Sequence, residues 1–195
     1  MLQTDQAAGL LILSAQAARD YGIPEDRQVH WWGGGQAQEE AWWVSERPDF
    51  ARCPALLDST CGALANAGLG IEEIDLIDFY SCFPAAVEMA CEMLGLAEDD
   101  PRGFTVTGGL PYAGGPASAY TLHALASMAD RLRERPGSKG LVTGNGWYLT
   151  KHAASIWSTD RKGGAAPTAS MPEDRPSAGL ETAPHAVVEQ ARGPG

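Results

Sequence analysis

Short β-rich runs alternate with helical stretches along residues 7–159, and that alternation confines the chain to a layered α/β arrangement with helices covering a sheet. Two helices carry matching punctuation. Pro54 opens one predicted over residues 54–66 with Gly68 as its stop, and Pro84 opens another over residues 84–94, ended by Gly95. Proline suits a first helical turn, where its missing N–H has no partner to lose, and glycine suits the turn that follows a helix. In the first of these Leu57, Cys61 and Leu64 fall at i, i+4 and i+7, which predicts an apolar stripe. A short helix is predicted over residues 15–21, and the longest over residues 117–135, closed by Pro136-Gly137.

Five runs read as strands: residues 7–15 (AAGLLILSA), 27–32, 74–80, 139–143 and 147–159. The second ends at Gly33-Gly34-Gly35, and the last two form a hairpin turned by Gly144-Asn145-Gly146. Residues 36–54, which include Trp42 and Trp43, have no clean period and read as a long excursion, a feature that is usually functional or interface-forming. Residues 103–116 form a glycine-rich loop. The order predicts one α/β domain over residues 5–160, with a mixed five-stranded sheet and helices on both faces. Residues 163–195 hold five prolines and five glycines without aliphatic clustering, the composition of a disordered tail.

Charge and cysteine usage narrow the function classes. Acidic residues outnumber basic ones 25 to 14, for a net charge of −11. Such a surface repels phosphate backbones and anionic lipid, so nucleic-acid and membrane-surface partners are not expected. No apolar run approaches the roughly 18–20 residues that cross a bilayer, and the N-terminus has no basic leader region. Cys53, Cys61, Cys82 and Cys91 form no C-x-x-C pair, so no metal is expected and a reduced, cytoplasmic setting follows.

Three segments together carry a family resemblance. They are Tyr80-Ser81-Cys82-Phe83 after a strand, the run GGLPYAGGP from Gly108 to Pro116 before the long helix, and Thr143-Gly144-Asn145-Gly146 before the last strand. In that order and spacing they resemble the C-terminal half of the thiolase superfamily, in particular its acetyl-CoA acetyltransferase and sterol-carrier-protein types, over residues 5–159. The resemblance implies a thiolase-like layered sandwich acting as an acyl-CoA acyltransferase in lipid metabolism, with a coenzyme A thioester as substrate and no separate cofactor. It also implies that the nucleophilic cysteine belongs to an N-terminal half. The expected partner is therefore that separate half, or a second copy in a homodimer.

Carried over residue by residue, the resemblance also shows departures. Tyr80 stands where thiolases place the Asn or His that orients a catalytic water, while Cys82 matches the cysteine of the sterol-carrier type. Gly115 stands at the histidine of the Gly-His-Pro loop, and Gly144 at the acid/base cysteine of the third loop. Claisen chemistry needs a base for the α-proton and donors for the enolate oxygen, and a glycine offers only its N–H. Three readings follow: a thiolase-like half-domain that needs its nucleophile-bearing half, a degenerate subunit that binds acyl-CoA or a partner chain, and a retro-aldol carbon–carbon lyase using Tyr80.

Each candidate residue has a functional and a structural reading. Tyr80 can donate its phenol to a thioester or ketone oxygen, or pack as an aromatic strand end. Cys82 can act as acid/base or reactive thiol, or fill space. The positive end of the helix opened by Pro84 favours its thiolate and predicts the most reactive of the four thiols, with Cys53 its competitor and Cys61 and Cys91 shielded. His123 and His152 can each replace the lost base or serve structurally. Gly108, Gly109, Gly114 and Gly115 allow backbone to approach a ligand, and Asn145 completes that binding set. Trp31, Trp32, Trp42 and Trp43 can line an acyl or sterol pocket, cover an interface or fill a core. Leu122, Leu125, Ala126 and Ala129 mark a helix face expected to be covered by a partner.

Overall fold

Helices cover both faces of a mixed sheet, as the alternation predicts, but the sheet has four strands rather than five. The computed structural model describes residues 3–162, so the tail expected over 163–195 lies outside the described residues. The strands are β1 (His30–Gln38), β2 (Leu76–Asp78), β3 (Lys139–Gly146) and β4 (Lys151–Ser158), in the order β1-β4-β3-β2. β2 and β3 run parallel, whereas β4 is antiparallel to both of its neighbours. The helices are α1 (Ala15–Asp20), α2 (Pro54–Ala67), α3 (Pro84–Leu94), α4 (Leu110–Ala113) and α5 (Tyr120–Glu134).

The side-chain alternation of the strands sorts the core into two layers. Ile77, Leu141, Ala154 and Ile156 pack with Leu56, Ala63 and Leu64 of α2 and with Ala90 and Cys91 of α3. Leu76 and Val142 point the other way and pack with Tyr120, Ala124, Met128 and Leu132 of α5. Among the described residues no helix is long and apolar enough to cross a membrane.

Four expectations are corrected here. Residues 7–15 do not form a strand; they run without a ladder until α1 begins at Ala15, capped by Ser14 Oγ accepting from Ala17 N–H at 3.1 Å. A strand needs a neighbour's backbone, and among the described residues this stretch pairs with none. Gly33-Gly34-Gly35 does not end the second run but sits inside β1, which shifts β1 from the expected 27–32 to His30–Gln38. A Cβ at Gly35 would fall 2.1 Å from Ser59 O, and one at Gly33 would fall 2.6 Å from Ala63 O. The glycines therefore let α2 lie directly on the strand backbone.

That close approach also turns α2. Its buried face carries the small residues Ser59, Ala63 and Ala67 with Leu56 and Leu64, so Leu57 is only half-buried and Cys61 is exposed, not shielded on a stripe. Finally, Gly144-Asn145-Gly146 is not the hairpin turn. β3 runs through it to pair Gly146 with Lys151, and Trp147–Leu149 makes the turn.

Candidate active site

β2 is a three-residue strand because the chain leaves the ladder where the site begins. Phe79 N–H turns to Phe104 O at 2.8 Å, and Tyr80 N–H to Thr143 Oγ1 at 3.0 Å. These bonds place Tyr80 and Cys82 beside the end of β3, where Asn145 lies near enough to the Cys82 thiol to favour its thiolate. The Tyr80 ring stands edge-on to Tyr120, with centroids 5.3 Å apart. Three sequence-predicted residues, Tyr80, Cys82 and Asn145, are thus brought together.

The glycine-rich loop is strapped over them by a buried carboxylate. Asp78, fully buried, accepts Val106 N–H at 2.9 Å, Thr107 N–H and Thr107 Oγ1–H at 3.1 Å, and Tyr120 OH at 3.1 Å. Burial pushes the Asp78 carboxyl up and the four donors oppose it. Thr107 Oγ1 in turn accepts Gly109 N–H at 3.0 Å, and Ser81 Oγ accepts Leu110 N–H at 3.1 Å. Gly109 has φ +82°, and a Cβ there would meet Ser81 Oγ at 2.8 Å, so no other residue closes the strap this tightly. Asp78, Ser81, Thr107 and Tyr120 were missing from the sequence reading. The signal was present: an aspartate inside the apolar run IDLIDFY must find donors once that run is buried.

The predicted binding glycines separate. Gly108 is exposed and Gly109 buried. Gly114 and Gly115 lie under the N-terminal segment: Thr4 N–H donates to Gly115 O at 3.4 Å, Gln6 Nε2 to Ala113 O at 2.8 Å, and a Cβ at Gly114 would meet Thr4 Oγ1 at 2.6 Å. The residue after Pro116, Ala117, has φ +49°. His123 lies in α5 with Nε2 sealed from solvent and without a hydrogen-bond partner among the described residues; no hydrogen bond joins it to Tyr80, Cys82 or Asn145.

His152 is not a free base. Its Nε2 lies 3.1 Å from Cys53 Sγ and 3.1 Å from Leu149 O, and burial holds its pKa down to about 4. Cys53 donates to Glu39 Oε1 at 3.4 Å. Arg47, also buried, donates to Tyr148 O at 2.8 Å and to Leu149 O. These groups converge on a strained turn: Tyr148 and Leu149 have φ of +58° and +57°, conformations that cost on the order of 1 kcal/mol or more each and persist only when over-determined. The excursion thus clamps the turn that follows Asn145. Trp42 and Trp43 are exposed rather than core, and Trp43 and Trp147 tilt against Tyr148 with centroids 5.3 and 5.8 Å away. Trp32 packs on the core and donates Nε1–H to Asp160 O at 2.7 Å.

Two of the four thiols sit differently from the sequence expectation: Cys61 is exposed and Cys53 is buried. Burial pushes Cys82 up, although Phe83 N–H and Asn145 pull it down. Pro84 at the first position of α3 removes one N–H that a thiolate there would use. Cys53 is sealed, and burial with the Glu39 charge pushes it up to about 12. In the folded chain iodoacetamide should modify Cys61 and Cys82 and spare Cys53 and Cys91 until denaturant is added. Peptide mapping checks this, and native labelling of Cys53 at the rate of Cys61 would contradict the sealed cluster.

No family model matches the chain. Among curated proteins it is 30% identical over 155 residues to a 3-ketoacyl-CoA thiolase of Salmonella heidelberg, a match covering 72% of this chain and 33% of that protein. It is 27% identical over 139 residues to an acetyl-CoA acetyltransferase of Syntrophomonas wolfei, covering 71% of this chain and 32% of that one. The chain spans about a third of the length of these curated relatives. Among solved structures, a monomeric SCP2-thiolase-like protein type 1 from Mycobacterium smegmatis matches with TM-score 0.74 and 38% identity, over 80% of this chain and 34% of that one.

Proposed function

We propose that this chain, which is thiolase-like in both sequence and fold, is the C-terminal half of an acyl-CoA-handling thiolase-like protein and holds the thioester end of its ligand against Tyr80, Cys82 and Asn145. The observation that carries this reading is the convergence of those three side chains where β2 and β3 end, beneath the loop strapped by Asp78. Burial, and then the Cys82 charge, raises the Tyr80 phenol, and burial raises the Cys82 thiol. Both therefore stay protonated at neutral pH and act as hydrogen-bond donors rather than bases. Donors fixed at a developing oxyanion are the larger part of acyl-transfer catalysis, so this half supplies carbonyl polarisation. The base and nucleophile come from a partner half. The retro-aldol reading needs Tyr80 as phenolate, which its burial opposes.

The partner that suits this reading is the remainder of a thiolase-like fold. The M. smegmatis relative is monomeric, which favours such a remainder over a second copy of this chain. Titration calorimetry with acetoacetyl-CoA should show binding to the full chain, and Tyr80→Phe should weaken it about 5- to 10-fold, the worth of one buried hydrogen bond. Thiolysis of acetoacetyl-CoA by the chain alone should not exceed a protein-free control. Absent binding at millimolar ligand, or a Tyr80→Phe variant that binds equally, overturns the assignment.

A further inference from the structure

Arg47 is 3% exposed, yet among the described residues it forms no ion pair. Its Nε is sealed from solvent without a hydrogen-bond partner, and its guanidinium donates to two backbone carbonyls, Tyr148 O at 2.8 Å and Leu149 O. A buried cation is costly unless polar groups compensate it, and here the compensating groups are those of the turn itself. Glu39, the carboxylate of this cluster, is engaged by Ala55 N–H at 2.8 Å and by the Cys53 thiol at 3.4 Å. The excursion delivers Arg47 in a fixed direction. Arg47 N–H donates to Val44 O at 3.1 Å, and Pro48 restricts the residue before it to extended backbone, here with φ −74° and ψ 137°.

Successive carbonyls point the same way in helical backbone and opposite ways in extended backbone. Two consecutive carbonyls on one guanidinium therefore favour the paired left-handed conformation of Tyr148 and Leu149, which neither residue adopts readily. Without Arg47 the connection has a less strained place to bend, at Gly144-Asn145-Gly146, whose residues tolerate turn conformations. Bending there takes Asn145 out of the ladder, where it faces His152 of β4, and away from Cys82. We propose that Arg47 is a positioning residue for the candidate site: it forces the reversal onto Tyr148 and Leu149, so that Asn145 stays in β3 beside Cys82. The consequence for ligand binding rests on the thioester reading above; the control of the turn does not. Lysine keeps the charge of Arg47 but not the planar fork that spans two carbonyls, so it is the substitution that isolates this role.

The test is hydrogen exchange of the full chain, read on peptides spanning residues 144–152, alongside calorimetric titration with acetoacetyl-CoA. Arg47→Lys should speed exchange in that segment at least about 10-fold and leave the peptides of α3 and α5 unchanged. It should also weaken acetoacetyl-CoA about 5- to 10-fold, the worth of one displaced hydrogen-bonding side chain. Tyr148→Gly supplies the readout that a merely structural role would not move. Glycine adopts the left-handed conformation without strain, so adding it to Arg47→Lys should return exchange to within about 3-fold of the parent chain. Unchanged exchange in Arg47→Lys overturns the proposal, as does faster exchange that Tyr148→Gly fails to slow. If Arg47→Lys does not fold, the double variant must restore the fold, and its failure to do so overturns the proposal as well. Equal acetoacetyl-CoA affinity in the parent chain and Arg47→Lys likewise overturns the positioning role. Exchange needs no ligand, so a parent chain that binds no acetoacetyl-CoA defeats the thioester reading, while the exchange result still decides whether Arg47 sets the turn.

Discussion

Gly35→Val should abolish the native fold or cost it on the order of 4 kcal/mol or more, because its Cβ falls on atoms that cannot rotate away. Those atoms are Ser59 O at 2.1 Å and Ala63 N at 2.7 Å, both helix backbone. To admit the side chain, α2 must lift off β1 and β4 along its length, which opens the layer that buries Leu56, Ala63 and Leu64. A loss of about 4 kcal/mol corresponds to roughly 10 °C in melting temperature for a domain of this size. Gly34→Ala is the control. It faces the other side of the sheet, where the nearest atom is Trp31 side chain at 3.1 Å, and a side chain can give way. Its cost should stay below about 1 kcal/mol. Thermal unfolding followed by circular dichroism decides the matter; equal effects at the two positions would contradict the direct helix-on-strand contact.

The second large effect is loss of stability in mild acid. Burial first, with Arg47 assisting against the Leu149 carbonyl, holds folded His152 neutral down to about 4, whereas an unfolded imidazole takes its proton near 6.5. Between those values the unfolded state binds more protons, so stability is full above about pH 6.5 and falls as pH drops toward 4. The loss is on the order of 3 kcal/mol. Cys53 mirrors it on the alkaline side: its folded pKa of about 12 exceeds the ordinary value of 9.0, so stability declines as pH rises past that value. Urea titrations across the acid window should show the slope, and His152→Gln should begin less stable but lose less on acidification. A wild-type curve flat to pH 4 would mean that the imidazole is protonated in place.

Much of the layer order was legible in the sequence because it depends on local chemistry. Pro54, Pro84, Gly68 and Gly95 bound their helices as read, and the hairpin of the last two strands is present. What escaped depends on neighbours far along the chain. Gly33-Gly34-Gly35 looks like a turn until α2 is known to lie on it. Gly144-Asn145-Gly146 looks like a turn until Arg47, Cys53 and His152 are seen forcing the reversal onto Tyr148 and Leu149 instead. Residues 7–15 have strand composition, but composition cannot supply a partner edge. At the candidate site Tyr80, Cys82 and Asn145 were found through their loops, whereas Asp78 and Tyr120 do their work through bonds to Thr107 that no local pattern displays.

β4 is the last strand of the described chain to be synthesised, yet it lies between β1 and β3. Until Ser158 has left the ribosome, β1 has no sheet neighbour and its close contact with α2 rests on one strand alone. β2 and β3 likewise wait with an open edge. Translation therefore delivers two incomplete pieces and then the wedge that joins them, so a stall or nonsense codon before Lys151 releases a product with exposed strand edges instead of a shortened but folded domain. Quality-control proteases should recognise such products readily, and expression of this chain should tolerate changes near its N-terminus far better than any loss that reaches β4.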